Sequence, residues 1–245
     1  MTNNPQFQRP SFNFRRRKSP LTLTIGALVV IGALFTALSG FYADWLWFKS
    51  VNFTSTWSTV LGTKALLFVV VGLVTALFIM LNVLVAYKRR PLYVPMTVEA
   101  DNLERYRAQI QPIRRAVFIA GFLALFYFAG SSGSTLWSTW LLFKNSTEFG
   151  VTDPQFNMDI SFFAFKLPMW QALIGWGIST IVLAIIAAAA VHYIYGGIRP
   201  QVKEERTTVA ARVQLSILLG LLVLLKAVAY WFDRYALSLK EGRLI

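Results

Sequence analysis

The polar and apolar positions of this chain fall into blocks. Long uncharged stretches alternate with short, charged ones, and five stretches have the roughly 20 apolar residues that a helix needs to cross a hydrocarbon core about 30 Å thick. The first runs from Ser19 to Ala43 and the second from Ala65 to Tyr87, both free of charge. The third begins at Ala116 and weakens into Ser131–Thr135, so its far end falls between Gly130 and Trp137. The fourth extends from Pro168 to Tyr195, with the proline suited to a first helical turn that has no use for its missing N–H. The fifth, Val213 to Phe232, is interrupted by Lys226 alone. The pattern predicts an all-α, polytopic helical membrane protein with about five transmembrane helices and short interfacial helices between them.

Composition agrees. Of 245 residues, 56% are hydrophobic and 14% charged, and the mean hydropathy is +0.54, which is outside the range of ordinary soluble domains. The formal net charge of +13 reads first as a topological signal. With the N-terminus cytoplasmic, sixteen of the 24 basic residues fall in inside segments, among them Arg15–Lys18, Lys88–Arg90, Arg105, Arg107, Arg114, Arg115, Arg199 and Arg212. The acids divide almost evenly between the two sides. Short cytoplasmic loops carry such a Lys/Arg excess, so all five spans take one consistent orientation in the plasma (inner) membrane, with the C-terminus outside. Attraction to anionic lipid head groups follows from the same charges. They form no extended stripe, so no nucleic-acid partner is expected.

The segments then read as follows: a disordered basic tail over 1–19; a first two-span unit over 20–87; a cytoplasmic loop with an amphipathic helix over 88–115; a second two-span unit over 116–196; a cytoplasmic loop over 197–212; and the fifth span with an outer tail over 213–245. In the 88–115 loop, Asp101 and Glu104 resemble a capping box, Leu103, Tyr106 and Ile110 share a face, and Pro112 is expected to stop the helix.

Two outside stretches are nearly the same: WLWFKSVNF from Trp45 and WLLFKNSTEF from Trp140. Trp45 and Phe48 lie three apart, as do Trp140 and Phe143, with Lys49 and Lys144 following. The spacing predicts two short interfacial helices, rings at headgroup level and lysines reaching water, within a parallel duplication of span, outer helix, span. Convergent use of Trp and Phe at two outer interfaces would produce the same match.

These stretches, with NLERYRAQIQPIRR, the DPQF of Asp153–Phe156 followed by Asp159 and Phe162, Phe163 and Phe165, and the late WFDRY, resemble the amino-terminal membrane region of the uncharacterised protein family 0182, a bacterial family best known from actinobacteria. The resemblance covers the chain from Leu21 onward. It implies a cell-membrane location and about seven spans followed by a large exported domain in full-length members, and it brings no catalytic residue with it.

Candidate chemistry is sparse. Cysteine is absent and histidine occurs once. No phosphate-binding glycine loop, metal-ligand set or nucleophile with a neighbouring base is present, so no cofactor, metal or enzymatic activity is expected. Asp153, Asn157 and Asp159 could offer oxygen ligands to a hard cation, but an acidic outer turn is the plainer reading. Lys226, an ionisable residue within a span, shares a helical face with Tyr230 and Asp233 and could form a polar path with them and with Asp44; snorkelling toward the outer surface is the structural alternative. His192 reads as an interfacial residue near the inner end of the fourth span, and Asn82 as a hydrogen-bonding residue between helices. The expected role is a membrane anchor or scaffold of a cell-envelope system, binding the bilayer and an envelope partner or exported domain. A transporter or channel subunit is the rival, and the base of a lipid-handling enzyme a third possibility.

Overall fold

The computed structural model describes residues 20–91, 98–200 and 206–237. The basic tail over 1–19, the outer tail beyond Leu237, and the side chains of Asp101 and Tyr106 lie outside the described residues. Among the described residues, α1 (Pro20–Ser50), α2 (Thr54–Lys88), α3 (Val98–Ile110), α4 (Arg114–Ser134), α5 (Trp137–Lys144), α6 (Leu167–Ile194) and α7 (Val209–Leu237) follow in order, and five helical stretches among them are long and apolar enough to cross a membrane. The fold is all-α; the extended pairings among the described residues are two isolated bridges, Thr152 with Asp159 and Ile198 with Thr207.

Two compact units divide the chain after Ser58. In the first, α1 continues without a break through Trp45, Phe48 and Lys49, so this copy of the repeated stretch is the last two turns of α1 and forms no separate interfacial helix. No proline lies between Leu38 and Ser50, and one glycine, Gly40, costs too little to end so long a helix. Tyr42 stacks on Trp45 at 5.7 Å, and Lys49 Nζ lies 4.9 Å from the Trp45 ring. The helix ends where Asn52 takes φ 58°, the left-handed conformation that asparagine tolerates.

In the second unit α2, α4, α6 and α7 pack through small residues. A Cβ at Gly72 would fall 2.6 Å from the carbonyl oxygen of Phe126, and one at Gly130 would fall 2.7 Å from that of Phe68. Glycine therefore lets α2 and α4 touch backbone to backbone. Ala184 and Ala188, one turn apart on α6, are fully buried with Ile79 and Ala86 of α2 and Leu218 of α7. Such contacts suit helices that meet in an apolar medium, where close van der Waals packing replaces the hydrophobic drive. Trp176 adds a cross-helix bond, donating its indole N–H to Thr75 Oγ1 at 2.8 Å.

Two boundaries differ from expectation, while α3 ends at Ile110, just ahead of Pro112, and a 3-10 turn over Gln111–Ile113 leads from it into α4 at Arg114. The fourth apolar stretch begins early, in a π-helical turn over Phe162–Lys166, and Pro168 sits in the first turn of α6. α7 extends beyond the predicted Val213–Phe232 at both ends.

Candidate functional site

The second copy of the repeat differs from the first. α4 ends at Ser134 and α5 is a separate helix of eight residues. The Ser134 and Thr135 hydroxyls donate to the carbonyls of Ser131 and Ser132 at 2.8 and 2.7 Å, competing for groups that a continuing helix would use. The resulting break turns α5 so that its aromatic residues meet the start of α6.

From there a chain of rings runs across the unit. Trp140 lies 6.2 Å from Phe143, Phe143 meets the edge of Trp170 at 6.4 Å, and Trp170 stacks on Phe232 of α7 at 5.9 Å. Phe232 lies beside Tyr235, whose ring receives Phe156 at 4.9 Å and Phe162 at 5.4 Å. Phe163, Leu167 and Tyr235 are the buried centre of this cluster. Edge-to-face pairs of this kind contribute about 0.5–1.5 kcal/mol each beyond the area they bury. Lys144 is exposed at the end of α5.

The DPQF loop is what delivers Phe156. Asp153 Oδ2 accepts from the N–H groups of Gln155 and Phe156 at 3.0 and 2.8 Å, which folds Asp153–Phe156 into a tight turn with Pro154 exposed at its tip. Asp159 accepts from Phe149 N–H at 3.1 Å, Gly150 N–H at 2.8 Å and Ser161 N–H at 2.8 Å, closing the loop at its base. Gly150 and Asn157 take positive φ values of 71° and 53° to allow it. The Ser161 hydroxyl, then the backbone N–H groups of Ser161, Phe149 and Gly150, hold the Asp159 carboxyl down to a pKa of about 2. Both carboxylates of the motif are thus directed at the loop's own backbone donors.

A second polar feature joins three long helices. His192 on α6 is 1% exposed and its Nε2 lies 3.0 Å from Oε1 of Gln214 on α7. The Gln214 amide N–H donates to the backbone oxygen of Asn82 at 2.9 Å and to its Oδ1 at 3.3 Å, and Asn82 donates to Phe78 O on its own helix at 2.9 Å. These bonds link α6 to α7 and α7 to α2. Because both bonds from the Gln214 amide nitrogen use it as donor, its oxygen accepts, which assigns the proton of His192 to Nε2. Among the described residues Nδ1 is buried without a partner, and it faces Gly197, where a Cβ would come within 2.8 Å. The relay borders a cleft of about 590 Å³ between α2 and α7, lined also by Arg89, Val213 and Ile217. His192 is therefore a core residue and not the interfacial one that the sequence suggests. Gln214 went unnoticed as the second residue of an apolar run; the available signal was that Asn82, His192 and Gln214 are uncharged polar residues near the same ends of three such runs.

Of the other expected site residues, Lys226 is exposed on α7 with its Nζ 5.1 Å from the Tyr230 ring, and Tyr230 is exposed as well. Asp233 is exposed one turn further on, and among the described residues no ion pair joins it to Lys226. Asp44 is exposed in α1. Arg234, beside Asp233, instead covers the Trp231 ring and donates to the Tyr235 hydroxyl.

An all-α unit of long apolar helices, closed by an aromatic chain at one end and a buried amide–imidazole relay toward the other, has the helix lengths and apolarity of a polytopic helical membrane protein. The chain is a member of the Uncharacterised protein family (UPF0182), which it matches over residues 21–245. It is 44% identical over 234 residues to a UPF0182 protein of Streptomyces coelicolor, an alignment covering 96% of this chain and 23% of that protein. A UPF0182 protein of Thermobifida fusca is 44% identical over 226 residues (90% and 22%), and one of Rhodococcus erythropolis is 40% identical over 224 (90% and 23%). The chain thus spans under a quarter of the length of the curated relatives it matches. No solved structure matches it.

Proposed function

We infer that this chain is the membrane base of a longer cell-envelope protein, with its N-terminus and the Arg-rich loops in the cytoplasm and the DPQF loop outside. The observation that carries this reading is the aromatic chain from Trp140 to Phe156, which ties α5, α6, α7 and the loop into one support at a single end of the unit. Rings at that level suit a headgroup interface, and the basic residues at the opposite helix ends suit the cytoplasmic leaflet. The support holds an exported domain, or an envelope partner, against the outer leaflet. The length of the relatives favours a substantial part to be held.

The chain has no cysteine, so single cysteines report sidedness without background. Ser146→Cys and Gln155→Cys are expected to react with a membrane-impermeant maleimide on intact cells, and Gln109→Cys only after permeabilisation. Protease treatment of spheroplasts carrying the full-length protein is expected to remove the exported part and leave the loop in the membrane fraction. Labelling of Gln109→Cys from outside would overturn the orientation. Lys226→Met should leave both results unchanged, whereas a transporter using Lys226 and Asp233 would lose transport at normal expression.

A further inference from the structure

At the end of the second unit opposite the aromatic chain, three arginines from three separate elements converge on two tyrosine rings. Tyr87, near the end of α2, meets Tyr195, which caps α6, edge to face at 5.1 Å. The Arg90 guanidinium lies 4.3 Å from the Tyr87 ring and 5.5 Å from that of Tyr195. Arg107 of α3 lies 5.6 Å from the Tyr195 ring and donates its Nε–H to Ile194 O at 2.6 Å, which docks α3 on the end of α6. Arg114, the first residue of α4, donates to the Tyr87 hydroxyl at 3.1 Å.

Among the described residues no carboxylate pairs with any of these three cations. Cations gathered this closely repel one another, and ring faces compensate only part of that cost. One donor is left over as well: among the described residues Arg107 Nη2 is buried with no hydrogen-bond partner. A buried charged donor left unpaired in a native protein is the mark of a missing ion or ligand.

We propose that Arg90, Arg107, Arg114, Tyr87 and Tyr195 form a binding site for a phosphate ester, occupied by the head group of an anionic phospholipid in the adjacent leaflet. Guanidinium groups flat against aromatic rings are held with their N–H edges free, and phosphate oxygens accept from such edges in pairs. The site sits where apolar helix begins, since Arg114 opens α4 and Tyr87 closes the apolar run of α2. A lipid phosphate is at that level and brings its acyl chains along the helices, whereas a free phosphate has no use for the apolar walls. The proposal rests on the membrane placement above but not on the anchoring role, so it can fail while the sidedness experiment succeeds.

The test is titration of short-chain phosphatidylglycerol onto the purified full chain in neutral detergent, read by native mass spectrometry, with phosphatidylcholine and inorganic phosphate as parallel probes. Arg90→Gln with Arg114→Gln is expected to weaken phosphatidylglycerol binding by about tenfold or more. Arg89→Gln with Arg115→Gln removes the same charge from neighbouring exposed positions and is expected to change it less than about twofold. Tryptophan fluorescence on heating checks that each variant is folded, and Arg90→Lys with Arg114→Lys keeps the charge while losing the paired geometry, so its affinity should be intermediate. Equal losses in the two glutamine pairs would reduce the effect to surface charge and overturn the site. Displacement of the lipid by inorganic phosphate at equal concentration would overturn the lipid as its ligand.

Discussion

The imidazole Nε2 of His192 and the amide oxygen of Gln214 meet at 3.0 Å between α6 and α7, with both side chains buried. Gln214 passes the connection on to Asn82, 132 positions earlier in the chain. Three long, mostly apolar helices are thereby joined by three side chains.

Replacing Gln214 by Leu keeps the volume but leaves the His192 N–H and the Asn82 Oδ1 without this partner. The expected cost is about 1–2 kcal/mol, the scale of interhelical hydrogen bonds in membrane proteins. Reversible unfolding in mixed micelles measures it. A double-mutant cycle with His192→Phe should return a coupling of about 0.6 kcal/mol or more; additive losses would mean that the two side chains act independently.

The α2–α4 contact gives a contrast between two glycines. A methyl group at Gly72 would sit 2.6 Å from the carbonyl oxygen of Phe126, a backbone atom that moves only with its helix. Gly72→Ala should therefore destabilise the protein by about 1–3 kcal/mol. Gly175, with nothing within 4 Å of its built Cβ, should accept alanine with no loss, or with a gain of up to about 1 kcal/mol from helix propensity. Paired unfolding curves decide it.

Acid should open the DPQF loop late. The Asp159 carboxyl, held at about 2 by the Ser161 hydroxyl and by the N–H groups of Ser161, Phe149 and Gly150, is depressed below the ordinary aspartate value of about 3.9. Its contribution is whole above the ordinary value and is lost as pH falls from there through about 2. Hydrogen exchange at the Gly150 amide should accelerate across that window beyond the intrinsic rate change. Asp159→Asn should remove this acid dependence.

The ring pair of Phe156 and Tyr235 ties the loop to α7 at 4.9 Å. Phe156→Ala and Tyr235→Ala should each expose the 149–161 segment to protease in the membrane-embedded protein. Together they should show a coupling of about 0.5–1.5 kcal/mol in a stability cycle. Unchanged protection in Phe156→Ala would separate the loop from the aromatic chain and remove the main support for the anchoring role.

The two near-identical stretches show what local sequence can and cannot decide. WLWFK and WLLFK differ only in Trp47 against Leu142, and both form helix. Whether that helix continues its predecessor depended on what came before: a single serine and glycine, Ser39 and Gly40, ahead of Trp45, and the Ser/Thr run of Ser131–Thr135 ahead of Trp140. The Ser/Thr-rich weakening was visible in the sequence, but the turn it produced, and the meeting of Phe143 with Trp170, required the fold.

The existence of the five apolar helices, the place of Pro168 in a first turn and the tight turn at Asp153 were legible from the chain alone, because each depends on run length or on neighbours a few residues away, whereas α1 runs on past Ala43 to Ser50 and α2 starts at Thr54, ahead of Ala65. The faces on which the helices meet were not legible. Helices apolar all round carry no stripe to indicate a partner, so contact is chosen by shape: glycine against carbonyl at Gly72, and alanine against isoleucine near Ala184 and Ile79. The same reason hid the relay. His192, Gln214 and Asn82 are remote in sequence, and each alone is a minor interruption of an apolar run; only the packing of α2, α6 and α7 brings donor to acceptor.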